Sequence, residues 1–418
     1  MPGNTPVPAF EVILIAPNVS EQMGGEAIKA LQIYLEMERQ GIRVHQVTHE
    51  RAKPELDRSF PQMSVSYVAD TTIEKLLYRW KLFEQLLNFV FLRSAVKQAQ
   101  ALLKQNPGAV VHFTSPVSPI LPYPPVPGAH VVIGPINGNI HYPPAFRHRE
   151  KLAYKVRRWL HPAMQFLHRF SFSGKRKANA LLVAGGQRTY ESLRMAGCSE
   201  HQFVDSIDSG VLNRLYDLPR ITHSGKNLRF YHNGRLVEHK GTDLIVKSLA
   251  RTRNPIELDI IGRGPELQNL RSLAASLQLG DRVKFIEWVP DHTELARMLR
   301  DYRAFVFPSL AEANGIVVQE AMIQGLPVIA CNWGGPALLV TPETGILIDP
   351  VSEEHVIAEL AAAMDLLAED GELAERMSVN ARALGRIKGF LWSDVIRNWR
   401  PIYTRISAKA VPGAPAGK

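Results

Sequence analysis

Short apolar runs, spaced by longer amphipathic stretches, constrain this chain more than any other feature it has. Glu-Val-Ile-Leu-Ile-Ala (11–16), Ile-Arg-Val-His-Gln-Val (42–47), Ala-Val-Val-His-Phe (109–113), His-Val-Val-Ile-Gly (130–134) and Ala-Leu-Leu-Val-Ala (180–184) form one series. Runs of this length, with helical periods between them, are the pattern of a parallel sheet covered by helices. A helix is expected from Glu26 to Arg39, ended by Gly41, and the connection from Phe113 to Pro127 is proline-rich and irregular. The series then restarts with 228–234, 257–262, 283–287, 304–307 and 327–330. Between the two series, 207–227 is turn-rich and carries no strong period. The pattern therefore predicts two doubly wound α/β domains. The first spans 1–206, a linker covers 207–227, the second spans 228–389, and a last helix covers 390–407. The tail 408–418 has no apolar payload to bury and is expected to be disordered.

Composition excludes some classes and singles out one region. The chain has 418 residues, two cysteines and 45% apolar content, which fits neither a disulfide scaffold nor a disordered or coiled-coil protein. No apolar run approaches the roughly 18 residues that span a bilayer. The first Lys or Arg is Lys29, and Glu11 interrupts the first apolar stretch, so no signal peptide or anchor is expected and the chain reads as cytoplasmic. Residues 147–177 hold ten Lys or Arg against one acid, Glu150, a net +9 that equals the charge of the whole chain. Leu152, Tyr154, Trp159, Phe166, Leu167, Phe170 and Phe172 interleave with these cations. Two readings compete. One is peripheral contact with an anionic membrane at its inner face, each cation near the surface adding about 1 kcal/mol. The other is a pair of core-packing helices with a solvated basic face. The segment 73–92 has a similar character. No nucleic-acid motif accompanies the charge, so nucleic acid is not expected as a partner.

Several chemistries lose support through missing motifs: there is no GxxxxGK[ST], HExxH, GxSxG or Asp-x-Asp. Gly262 and Gly264 follow a strand, but Leu267 stands where a dinucleotide fingerprint needs a small residue, and a tight strand-to-helix turn explains them as well. The stretch 307–327 is more informative. Glu312 and Glu320 are separated by seven residues, with Asn314-Gly315 at the expected helix start. Eight helical steps span about 12 Å. One carboxylate then lies before the helix and one inside it, flanking backbone N–H groups that attract phosphate. Two carboxylates around an anion site suit a sugar nucleotide, whose vicinal diols sit at either end of a diphosphate. A capping acid and a solvated helical glutamate are the plainer explanation. Arg235 and Lys240 shift the balance, because two cations beyond the first strand of the second series can neutralise a diphosphate there.

At these residues the chain resembles a known family. GRLVEHKG, IIGRGPEL, EANGIVVQEAMIQGLPVIA and WGGPALLV look like the retaining glycosyltransferases of family 4, with their spacings in register across roughly 230–350. The match is looser in the first half, in MGGEAIKALQIYLEMERQGIRV, VVHFTSP and IGPINGN, where it resembles a polysaccharide or lipid-linked-glycan branch. The resemblance implies the GT-B fold: two Rossmann-like domains facing a cleft, with a C-terminal helix crossing back to the first. It implies that Arg235 and Lys240 hold the donor diphosphate and stabilise its developing charge. Glu312, with the backbone of Asn314, Gly315 and Ile316, would hold the donor sugar, and Glu320 the ribose. Gly24 and Gly25 would let a loop approach the diphosphate, Trp288 and Val289 would face the base, and Arg263 joins the donor-binding set. Thr114, Ser115 and His141 are the candidates on the first domain's side of the cleft. In this sequence Asn314 replaces an aromatic residue common in the family. Thr114 or Ser115 stands where many relatives have a histidine.

No metal or other cofactor is implied. The expected activity is retaining transfer of a hexose from a nucleotide-diphosphate sugar to a glycan or lipid-linked glycan, in cell-surface or exopolysaccharide biosynthesis. A transferase with a soluble acceptor, a sugar-nucleotide epimerase and a non-enzymatic basic nucleic-acid binder remain as alternatives.

Overall fold

The computed structural model describes residues 10–70, 84–287, 289 and 292–408. The chain builds two parallel sheets. The first has seven strands, β1 (Glu11–Ile15), β2 (Arg43–His49), β3 (Val65–Val68), β4 (Val110–Phe113), β5 (His130–Ile136), β6 (Ala180–Val183) and β7 (Phe203–Asp205). Their spatial order is β3-β2-β1-β4-β5-β6-β7. The second has β8 (Arg229–Asn233), β9 (Glu257–Ile261), β10 (Val283–Ile286), β11 (Ala304–Phe307), β12 (Val328–Cys331) and β13 (Gly345–Ile348). Their order is β10-β9-β8-β11-β12-β13. Every residue of β4, β6, β11 and β12 is buried, as expected of strands covered on both faces by helices. Both sheets are thus Rossmann-like, with parallel strands and connecting helices.

Five helices bear on the site and its surroundings: α1 (Gly25–Arg39), α2 (Leu152–Ser171), α3 (Thr242–Leu249), α4 (Ile316–Gln324) and α5 (Trp392–Ala408). The described residues of Met1–Asn139, Leu160–Gly210 and Trp392–Lys418 make one compact unit, and Ile140–Trp159 with Val211–Leu391 make the other. Ile140–Trp159 lies within the span expected for the first domain, yet it groups with the second unit. Its apolar side chains decide this: Phe146 is fully buried in the second unit's core, and Tyr142 joins it there. Arg149 adds ion pairs to Asp243 at 2.9 Å and Glu353 at 2.7 Å.

The last helix belongs to the first unit. Trp399 Nε1 donates to Ser206 Oγ at 2.9 Å, and Tyr403 packs against Phe10 and His112. His112 is fully buried in β4. Its Nε2–H donates to Gly134 O at 2.8 Å, so its Nδ1 accepts from the Tyr403 hydroxyl, also at 2.8 Å. Burial pushes this imidazole down to about 3, which keeps it neutral. It is a satisfied core histidine. The tail beyond 408, and 73–83 of the second amphipathic segment, lie outside the described residues.

Candidate functional site

Strand order reverses between β8 and β11 in the second sheet. The chain leaves β8 toward β9 on one side and β11 toward β12 on the other, so the loops after β8 and β11 part at their carboxyl ends. Open α/β sheets bind ligands at such a switch point. Glycines let these loops come close. A Cβ on Gly241, whose φ is +68, would lie 2.4 Å from Pro308 O, and one on Gly262 would lie 1.9 Å from Gly234 O. A Cβ on Gly264 would lie 2.1 Å from Leu236 O, and one on Gly334 2.4 Å from Glu312 O. No side chain fits at those distances, so the loops after β8, β9, β11 and β12 can dock backbone to backbone only through glycine. Leu310 N donates to His239 O at 2.8 Å and Gly335 N to Glu312 O at 2.8 Å, which fixes the docked arrangement.

This docking brings Lys240 and Glu312 together. The Lys240 ammonium donates to Glu312 Oε2, and both side chains are largely buried. Lys240 also lies over the Phe307 ring, 5.0 Å from its centroid. Arg235 is exposed on the same loop. His239 reports how closely these charges gather: burial and then Lys240 lower its pKa, Arg235 lowers it further, and Glu312 opposes them.

Beneath the pair, His232 at the end of β8 is fully buried. Its Nδ1–H donates to Val306 O in β11 at 2.8 Å, and its Nε2 accepts from the Thr242 hydroxyl of α3 at 3.1 Å. Burial pushes it down to about 4, so the ring stays neutral and ties β8, β11 and α3 together. Sequence reasoning missed His232 as a positioning residue. Its signal was present in the His-Asn-Gly that ends the strand.

Gly315, with φ +85, caps α4 in the left-handed region, which places the turn between Glu312 and the helix. The N–H groups of Ile316 and Val317 have no partner among the described residues, as in any first helical turn. Glu320 is the fifth residue of α4. It lines a small hollow with Tyr231, Asn233, Leu295 and Val317, and burial pushes its carboxyl up to about 7.

The other candidate residues divide by unit. Val289 is half-buried in the coil after β10, and Trp288 lies outside the described residues. Arg263 is exposed, with its Nε 3.8 Å from Glu287. His141 falls in the second unit, not on the first domain, because its carbonyl accepts from Trp333 Nε1 at 2.7 Å.

Gly24, Gly25, Thr114 and Ser115 sit at the first sheet's own switch point, between β1 and β4. Gly24 needs its φ of +87 to start α1, and a Cβ on Gly24 or on Gly25 would meet nothing within 4 Å. Ser115 Oγ donates to Glu26 Oε2 at 2.6 Å, linking the two loops. Thr114 is buried against Ile15 O, its hydroxyl 3.4 Å away. Among the described residues, no group of three His, Cys, Asp or Glu could hold a metal ion.

Comparison with known proteins points the same way. Residues 218–384 match the family model for glycosyl transferases group 1. The lipopolysaccharide core biosynthesis glycosyltransferase LpsD of Rhizobium meliloti is 32% identical over 181 residues, which are 43% of this chain and 46% of LpsD. The chain spans about half the length of the curated relatives it matches. Sucrose-phosphate synthase of Thermosynechococcus elongatus superposes with a TM-score of 0.65 at 19% identity, covering 96% of this chain and 99% of that one. Anabaena HepE, crystallised in complex with UDP, gives 0.64 at 17% identity, covering 94% and 100%. The two sheets have the GT-B fold of these glycosyltransferase structures, and Arg235, Lys240, Glu312 and Glu320 all lie in the stretch that matches the glycosyl transferases group 1 model.

Proposed function

We propose that this chain is a retaining glycosyltransferase. It moves a hexose from a nucleotide-diphosphate sugar to a glycan or lipid-linked glycan in cell-surface or exopolysaccharide biosynthesis. The observation that carries the reading is the Lys240–Glu312 pair at the β8/β11 switch point, with Arg235 on the same loop. In this reading Arg235 and Lys240 take the diphosphate, where negative charge develops as the sugar leaves, by bidentate and point-charge contact respectively. Glu312 and the first turn of α4 orient the sugar hydroxyls. Glu320 accepts hydrogen bonds from the ribose diol. Catalysis comes from positioning and from fixed charges in a partly buried site. LpsD supports the polysaccharide branch by the pathway in its name, and HepE makes uridine the first base to try.

A thermal-shift panel of the full chain against UDP, GDP, ADP, TDP and their sugar conjugates tests this. A ligand at 100 times its dissociation constant adds about 2.7 kcal/mol of stability. One nucleotide sugar should raise the melting temperature clearly, and Lys240→Ala or Glu320→Ala should remove that rise. Either variant binding and turning over donor as the parent does would refute the site assignment. No shift with any nucleotide would refute the function.

A further inference from the structure

Helix α2 is built inside out. A surface helix of a folded domain turns its apolar stripe inward and its polar face to water. Here Trp159, Leu152 and Phe170 are 80%, 75% and 69% exposed. Together with Val156, Leu160 and Leu167, also exposed, they recur at spacings of three, four and seven residues and so share one outward side of the helix. The opposite side buries His161, Gln165 and His168. Gln165 Nε2 donates to Pro119 O at 2.9 Å and to Ser192 Oγ at 2.7 Å, and His161 Nε2 is hydrogen-bonded to the same hydroxyl at 3.0 Å. Burial pushes His168 down to about 4, so it packs as a neutral ring. Specific polar contacts therefore hold the helix with its apolar side out.

The charge beside the stripe says what covers it. Lys151, Lys155 and Arg169 are exposed along one edge. No Asp or Glu occurs between Glu150 and Glu191. Other members of the basic window are turned away: Arg149 pairs with Asp243 and Glu353, Lys175 is buried with its ammonium on Pro119 O at 2.5 Å, and Arg158 pairs with Glu150. A second copy laid on this stripe would set two rows of cations side by side with no acid to pair them. An anionic bilayer takes the apolar stripe into its interface and the cations onto its headgroups. No described helix is long and apolar enough to cross a membrane, so this contact lies in the interface plane.

We propose that α2 is a membrane-docking helix that lays its Leu152–Phe170 stripe into the surface of an anionic bilayer. This goes beyond the donor reading and does not rest on it.

The test uses the purified full chain with vesicles of phosphatidylcholine alone or mixed with phosphatidylglycerol. It should sediment with the mixed vesicles, not with phosphatidylcholine alone, and less at high salt. The double variant Trp159→Glu/Phe170→Glu should lose more than about tenfold in partitioning, and Lys155→Glu/Arg169→Glu a similar amount. Both should keep the parent's melting temperature, since these side chains face outward. If the glutamate variants do not fold, brominated lipid should still quench the parent's fluorescence more than that of Trp159→Phe. Equal vesicle binding by folded variants, or equal quenching of parent and Trp159→Phe, would overturn the proposal. So would a dimer in sedimentation velocity that Trp159→Glu dissociates while vesicles bind neither.

Discussion

Glu320 holds its proton more tightly in the folded protein than in the unfolded chain, because burial lifts its carboxyl to about 7. Its neutral form therefore favours folding. That contribution is complete below the ordinary carboxylate range and is lost as pH rises from there through about 7. Glu320→Gln should flatten this part of the stability–pH profile, a difference on the order of 2 kcal/mol in denaturant unfolding. Donor binding should run the other way. A ribose diol donates to the ionised carboxylate, so affinity for the nucleotide sugar should rise as pH passes through about 7 and become weak and flat in Glu320→Gln. Titration calorimetry of parent and variant across that range reads the difference. An unchanged pH profile in Glu320→Gln would show that another group sets it. His112 and His232 are held far lower, at about 3 and about 4, and so stay neutral throughout this window.

At the scale of elements, glycines decide which loops can touch. Gly241→Ala places a methyl against Pro308 O in a backbone region that L side chains avoid, so the loop after β8 must move off the loop after β11. The expected cost is about 1–3 kcal/mol of stability, together with lower donor affinity because Lys240 and Glu312 part. The Gly24→Ala variant should cost less, since only its φ of +87 opposes the methyl and nothing lies within 4 Å. Denaturant unfolding ranks the two, and equal losses would show that steric approach is not what Gly241 supplies.

The ten strands legible in the sequence include every interior strand of both sheets. The three it did not reveal, β3, β7 and β13, all lie at sheet edges. The reason is physical. An edge strand has one neighbour and partial cover, so Val65–Val68 and Phe203–Asp205 carry mostly half-buried residues and no sustained apolar run. In α2 the amphipathic period was legible, but its inward face was not.

At the largest scale, the first unit takes in a helix, α5, that follows the second unit in the sequence. Trp392, Ile396, Trp399, Tyr403 and Ile406 of α5 are buried, and α5 packs on α1 and β4. Trp399→Ala should cost about 3–5 kcal/mol in denaturant unfolding. Tyr403→Phe should cost about 1–3 kcal/mol, because His112 Nδ1 loses its donor in a buried site. Neutral effects would mean that α5 is an ornament of the fold.

The parallel interior strands, the single restart of their pattern and the chemical types gathered after β8 and β11 are all legible along the chain. These are local signals, written in runs, periods and glycines a few residues apart. The folded arrangement alone set Lys240 against Glu312 across 72 positions and His112 against Tyr403 across 291. It also decided that Ile140–Trp159 joins the second unit and that α2 turns its apolar stripe outward. Such pairings arise only when distant strands lie side by side. A helix's period marks its stripe, while its neighbours' hydrogen bonds choose the side that is buried.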